Sequence, residues 1–198
     1  MVITYNVGDG LYVNITNRCT NNCGFCIRRL SDSVGAVDSL WLDREPSREE
    51  ILDDIQKNDL AWYSEIVFCG FGEPTERLDD MLWICSQLKK TTDRKIRVNT
   101  NGHASLIAGY DTASKFHNLV DKLSISLNAA GADEYYLLCN PVFGLESYQG
   151  VLDFARRVKE YVPDVVLSIV GGTTDTEACR KAADEIGLPL RVRKAQEK

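Results

Sequence analysis

From residue 11 onward the chain alternates short β-type runs with amphipathic helical stripes, and that order leaves few folds open. The β-type runs fall at 11–16, 65–69, 96–100, 122–127, 165–170 and 190–193. Between them, apolar residues recur at helical spacing: Ile51, Leu52 and Ile55, then Leu78, Met81, Leu82, Cys85 and Leu88, then Tyr148, Val151, Leu152, Ala155 and Val158. Strands separated by helices pair in parallel, through right-handed crossovers. A closed eight-stranded barrel takes about 250 residues, so 198 residues build either part of one or an open doubly wound sheet. Both architectures gather their chemistry at the carboxyl ends of the strands.

The punctuation supports this order. Residues 2–7 and 11–16 flank Gly8-Asp9-Gly10 and read as an N-terminal hairpin. Ser47 with Glu50, and Thr174 with Glu177, have the spacing of capping boxes, and Gly187 marks a helix stop. A weaker helix is expected over 104–116. The run 165–170 is apolar apart from Ser168, as expected of a strand covered on both faces. With 44% hydrophobic residues and no linker-like stretch, one domain over residues 1–198 is the expectation. A net charge of −6 argues against nucleic acid or an anionic membrane as a partner. The chain shows no signal peptide and no apolar run near the roughly 20 residues that span a bilayer, so a soluble, cytoplasmic protein is expected. Seven cysteines, an odd number, fit a reducing compartment better than a disulfide framework.

Three of those cysteines, Cys19, Cys23 and Cys26, lie within eight positions, just after the first strand of the alternating series. Three chemistries compete for them. A structural zinc site needs a fourth ligand, which would be His103, His117 or a distant cysteine. A Cys23-x-x-Cys26 redox pair leaves Cys19 without a role. An iron-sulfur cubane held by three thiolates leaves one iron open, and an open coordination position separates a catalytic metal site from a closed one.

The stretch Cys19-Thr-Asn-Asn-Cys23-Gly-Phe25-Cys26, with an aromatic directly before the third cysteine, resembles the signature of the radical S-adenosylmethionine (SAM) superfamily. The resemblance implies an α/β fold, a partial (β/α)6 TIM-type barrel with mostly parallel strands behind the hairpin. It implies a 4Fe-4S cluster on Cys19, Cys23 and Cys26, whose open iron is chelated by SAM. It implies reductive cleavage of SAM to a 5′-deoxyadenosyl radical that abstracts hydrogen from a substrate. An electron donor such as flavodoxin or ferredoxin would be the redox partner.

Further motifs follow the later strands. Gly70-Phe71-Gly72-Glu73-Pro74 reads by itself as a strand-to-helix turn, but it resembles the family's Gly-Gly-Glu-Pro element, which holds the methionyl amino group. Asn99, Ser126 and Asn128 are common turn formers; the resemblance makes them contacts to the ribose and carboxylate of SAM. Phe25, Gly70, Gly72 and Glu73 join them as expected cofactor-binding residues. At the fifth strand the family's adenine motif is half present, in Ile169 and Gly171, and implies adenine contacts by Ile169 and Val170. Cys69, Cys85, Cys139 and Cys179 read as packed thiols, although Cys139 or Tyr136 could donate a hydrogen atom. Arg191 and Arg193 share one face of the last strand, where they either deter aggregation or bind an anion; Arg28 and Arg29 pose the same choice. His103 reads as a helix-start residue. Residues 11–18, 40–42 and 138–144 resemble the small radical SAM proteins associated with TatD-family nucleases. The expected substrate is bulky, such as a peptide or protein; the alternatives are a glycyl-radical-enzyme activase and a non-enzymatic iron-sulfur or zinc module.

Overall fold

The structure is a computed structural model that describes residues 1–32 and 39–194. Its centre is a sheet of seven strands: β1 (Thr4–Val7), β2 (Gly10–Val13), β3 (Glu65–Phe68), β4 (Lys95–Thr100), β5 (Lys122–Ser126), β6 (Asp164–Val170) and β7 (Leu190–Arg193). They are ordered in space as they are in sequence. β1 and β2 form the antiparallel hairpin, and every later pairing is parallel. Consecutive order without a reversal is how a barrel winds, whereas a doubly wound sheet reverses at a switch point. Sequence order therefore decides between the two architectures left open above.

Six helices cover one face: α1 (Arg48–Gln56), α2 (Leu78–Thr91), α3 (Ala104–Ala108), α4 (Ala132–Cys139), α5 (Glu146–Val158) and α6 (Thr176–Ile186). On that face the strands place a row of Val13, Phe68, Val98, Leu123 and Val165, paired in register and all within the main apolar core. The alternate positions line the inner face. There the register gives Tyr12, Val67, Arg97, Lys122 and Asp164 in one row, Asn99, Ser124 and Val166 in the next, and Ser126, Ser168 and Arg191 in a third. Period-two alternation thus separates an apolar face from a polar one.

Two expectations are corrected, and one helix is added. The weak helix over 104–116 is two pieces, because Gly109 takes a left-handed φ of 75° after Ala108 and the chain resumes as a 3-10 turn at Ala113–Phe116. The cap of α6 is Asp175, whose side chain accepts from the backbone of Glu177 and Ala178, while the Thr174 hydroxyl donates to Glu134. α4 escapes sequence reading because Ala132–Cys139 has only two buried residues, Tyr135 and Cys139, too short a stripe to register as a period. The Ser47/Glu50 capping box forms as expected.

Candidate cofactor site

The loop after β2 carries Cys19, Cys23 and Cys26, all free and partly exposed. Its backbone is stitched to the end of α4: Asn22 N donates to Cys139 O at 2.8 Å, Gly24 N to Leu138 O at 3.1 Å, and Val142 N to Thr20 O at 2.9 Å. Arg28 and Arg29 reach back to Asn21 O and to the Asn22 side chain, at 3.0 and 2.7 Å, so they brace the loop itself. Among the described residues no three His, Cys, Asp or Glu side chains converge as a preformed metal cage. Cys19 is pushed up to about 12, first by burial and then by Glu73. Cys23 is raised by its hydrogen bond to Cys139 and by burial. Metal ligation needs thiolates, so loading this loop must release protons. Three soft sulfur donors on one short loop fit an iron-sulfur cluster.

Behind the loop lies a chain of buried polar groups. Asn101 Nδ2 donates to Thr20 Oγ1 at 2.8 Å, and Thr20 Oγ1 meets His103 Nδ1 at 2.9 Å. His103 Nε2 meets the Tyr135 hydroxyl at 3.1 Å, and Asn21 Nδ2 donates to that hydroxyl at 2.9 Å. One assignment joins these bonds: Thr20 donates to Nδ1, and Nε2–H donates to Tyr135, while Asn21 Oδ1 has no partner among the described residues. That requires a neutral ring, and burial lowers the His103 pKa to about 4. His103 does start α3, as expected, but it is fully buried and links both flanks of the cysteine loop. Tyr135 has no sequence signal, since its partners lie 32 and 114 residues away.

Missing α4 also misdirects one candidate. Tyr136 is 43% exposed, while Tyr135 is fully buried, because a helix turns about 100° per residue. The structure does not bring Tyr136 into the site. It does bring Cys139 there, buried against Cys23, with Asn128 Nδ2 at 3.5 Å from its sulfur. Cys85 and Cys179 are packed thiols in the core.

The turn after β3 lies directly beneath the cysteine loop, and Glu73 N donates to Arg18 O at 2.7 Å. A Cβ on Gly70 would overlap the Asn14 side chain, and one on Gly72 the backbone oxygens of Thr16 and Arg18. Both glycines are therefore required by contact between two loops of the protein. The Glu73 carboxylate is buried and engaged: Oε1 accepts from Thr75 N (3.0 Å), Thr75 Oγ1 (2.7 Å) and Thr100 Oγ1 (2.7 Å), and Oε2 from Asn101 N (2.6 Å). Burial raises its pKa against the pull of these bonds. Glu73 thus ties the ends of β3 and β4 together.

The remaining expected contacts divide. Asn99 and Ser126 lie on the inner face. Asn128 leaves the strand at a left-handed φ of 59° and turns its amide onto Cys139, so the alternation expected from Ser126 to Asn128 stops at Ser126. The Oδ1 atoms of Asn99 and Asn128 are enclosed without a partner among the described residues, which fits a polar ligand there. Ile169 is fully buried in the helix-side core, while Val170 shares the inner face with Arg193, so only Val170 presents its side chain to that space. Phe25 packs against the main core.

Residues 13–186 match the family model of the radical SAM superfamily. The chain belongs to this superfamily. Radical SAM members use a 4Fe-4S cluster and SAM. It is 26% identical over 177 residues to the tRNA-2-methylthio-N(6)-dimethylallyladenosine synthase of Bacillus cereus (strain B4264), covering 84% of this chain but 32% of that one. In fold it is similar to TYW1 with a lysine-pyruvate adduct bound (TM-score 0.65, 14% identity, 96% of this chain and 65% of that chain). It is also similar to native anSMEcpe with bound AdoMet (TM-score 0.61, 17% identity, 94% and 51%). The partial barrel is the architecture shared with these structures, and here it carries an N-terminal hairpin.

Proposed function

We propose that this radical SAM enzyme, with residues 1–198 as its core, holds a 4Fe-4S cluster on Cys19, Cys23 and Cys26 and cleaves SAM reductively to act on a substrate by hydrogen abstraction. The observation that supports this most is the position of the three-cysteine loop. It lies at the carboxyl end of β2, fixed from below by the Glu73 turn and from behind by the His103 network. When bound, the cluster and SAM together supply a one-electron cleavage of the sulfonium and a carbon radical for hydrogen abstraction.

The chain's own residues orient and enclose. Asn21 N and Asn101 Nδ2 approach the Cys19 sulfur at 3.4 and 3.9 Å, and hydrogen bonds to a ligating sulfur tune its cluster. Asn99, Ser126 and Val170 line the inner face where SAM would lie. Asn128 is turned toward Cys139, and the backbone of Gly70 to Glu73 forms the floor. Cys139 is the candidate hydrogen donor that the fold supports, being beside Cys23. Residues 11–18 interlock with 40–42 through Asn14 Nδ2 to Leu40 O (2.6 Å) and the two Asn17–Leu42 hydrogen bonds (2.8 and 3.0 Å). These stretches, with residues 138–144, favour the TatD-associated subgroup and a link to TatD-family nucleases. Among the described residues no helix is long and apolar enough to cross a membrane; we read the protein as cytoplasmic, served by a flavodoxin or ferredoxin. The test is anaerobic reconstitution, iron and sulfide counting, then SAM with a strong reductant and mass spectrometry for 5′-deoxyadenosine. Four irons and cleavage support the reading; a reconstituted cluster that leaves SAM intact overturns it.

A further inference from the structure

The charges on the inner face are not evenly balanced. Near the amino ends of the strands, Arg97 pairs with Glu65 at 2.7 Å and Lys122 with Asp164 at 2.9 Å. Toward the carboxyl ends, β7 contributes Arg191 and Arg193, and among the described residues neither has a carboxylate partner. The register fixes their direction. Arg191 pairs with Ser168 and Arg193 with Val170, so both guanidiniums leave the strand on the same face as Asn99, Ser124 and Ser126. Gly171 N donates to Arg193 O at 2.8 Å and holds the end of the strand in place.

Arg193 is not a solvated edge charge. Among the described residues its Nε is enclosed without a hydrogen-bond partner, as is the Nε of Arg97, while the Arg97 Nη2 is held by the Tyr12 hydroxyl at 3.0 Å. Enclosing a guanidinium donor without an acceptor is costly, and such groups are normally paired. Burial draws the Arg193 pKa below its ordinary value, and the charge of Arg191 adds in the same direction. Cys69 and Cys23 lie within its electrostatic reach. A planar fork with a spare N–H, a like charge beside it and no acid is the arrangement that recognises an oxyanion.

We propose that Arg193, with Arg191 beside it, anchors an oxyanionic group of the substrate, a carboxylate or a phosphate ester. The inference rests on the radical SAM reading only for calling the bound molecule a substrate; the anion site itself stands on the sheet. It replaces an undefined bulky substrate with one that carries a carboxylate or phosphate at the β7 side of the inner face.

The test follows the arginine Nε–H resonances of the reconstituted full chain during titration with inorganic phosphate and, separately, acetate. A saturable shift of the Arg193 signal is expected. Arg193→Gln should weaken the anion by about tenfold or more, and Arg193→Lys, which keeps the charge but not the fork, by less. SAM affinity should stay within about twofold in both variants. That last readout also reports that the variants are folded. Saturation by phosphate alone assigns a phosphate ester, and saturation by acetate alone a carboxylate. No saturable shift with either anion overturns the proposal. So does a tenfold loss of SAM affinity in Arg193→Gln with anion titration unchanged, since the guanidinium would then serve the cofactor. Anion binding kept in a chain that does not cleave SAM would sink the enzymatic reading and leave the anchor standing.

Discussion

One sheet carries two chemistries. On its helix-covered face the row Val13, Phe68, Val98, Leu123 and Val165 is apolar across five strands. One residue along, the inner face reads Asn99, Ser124 and Val166, then Ser126, Ser168 and Arg191. Apolar burial contributes about 25 cal/mol per Å2, whereas an enclosed amide or guanidinium contributes little net and costs free energy if unpaired. The helix side therefore carries the stability, and the inner side and its rim carry groups that a fold alone does not require. Among the described residues, enclosed atoms without a partner are found at Asn99, Asn128, Arg97 and Arg193, and also at Asn14, Asn21 and, on α5, Ser147. Stability and function are divided by the pleat of a single set of strands.

The sharpest way to break this division is at the rim. Cys19→Ala, Cys23→Ala and Cys26→Ala should each lower 5′-deoxyadenosine formation by at least about a hundredfold, because loss of a ligand outweighs the effects typical of its outer shell. The melting temperature of the apoprotein should change little, since all three are partly exposed. Retention of full cleavage by each of the three variants would remove the cysteine loop from the chemistry.

On the helix side the order of effects reverses. Leu123 is fully buried in the middle of the five-strand row, and Leu123→Ala should cost about 4 kcal/mol through lost transfer and the cavity left behind. Urea titration of the apoprotein would show it. A cost below about 1 kcal/mol would mean that the helix side does not carry the stability assigned to it.

These contrasts also show how much the amino-acid order reveals. The parallel sheet, the hairpin and the cysteine loop are legible because they depend on local period and spacing. The inward set at Asn99, Ser124 and Ser126 follows from period two as well. What is not legible depends on long-range contact. α4 shows only two inward residues, so neither the helix nor the choice of Tyr135 over Tyr136 can be read ahead. Gly70 and Gly72 suggest room for a ligand, yet the space where their Cβ atoms would lie is taken by Asn14, Thr16 and Arg18, more than 50 residues earlier. His103 shows a helix start and nothing of Thr20 or Tyr135.

The His103 network is a polar element on which stability depends, so it tests whether the division of labour is complete. The folded-state pKa of about 4 lies below the ordinary 6.5. As pH falls the unfolded chain takes up the proton first, so the contribution is complete above pH 6.5 and is lost as pH drops toward 4. The total is roughly 3 kcal/mol. Urea midpoints measured from pH 7 to 4 should fall in the wild type, and the part of that fall due to His103 should vanish in His103→Gln. An identical pH profile in the variant would mean that another group titrates.

The smallest effect is the most discriminating. Ser124 is adjacent to Leu123 and also buried, at 6% exposure, but it points to the inner face, where no hydrogen bond from the described residues holds its hydroxyl. Replacing it by alanine removes one oxygen and leaves no buried partner unsatisfied, so Ser124→Ala should stay within about 0.5 kcal/mol of the wild type. A change of one position along the strand thus turns the largest loss of stability into almost none. If Ser124→Ala destabilised the apoprotein as strongly as Leu123→Ala, the inner face would be a second core rather than a surface given to ligands. If it left stability unchanged but altered SAM cleavage, the polar row would be tied directly to the reaction.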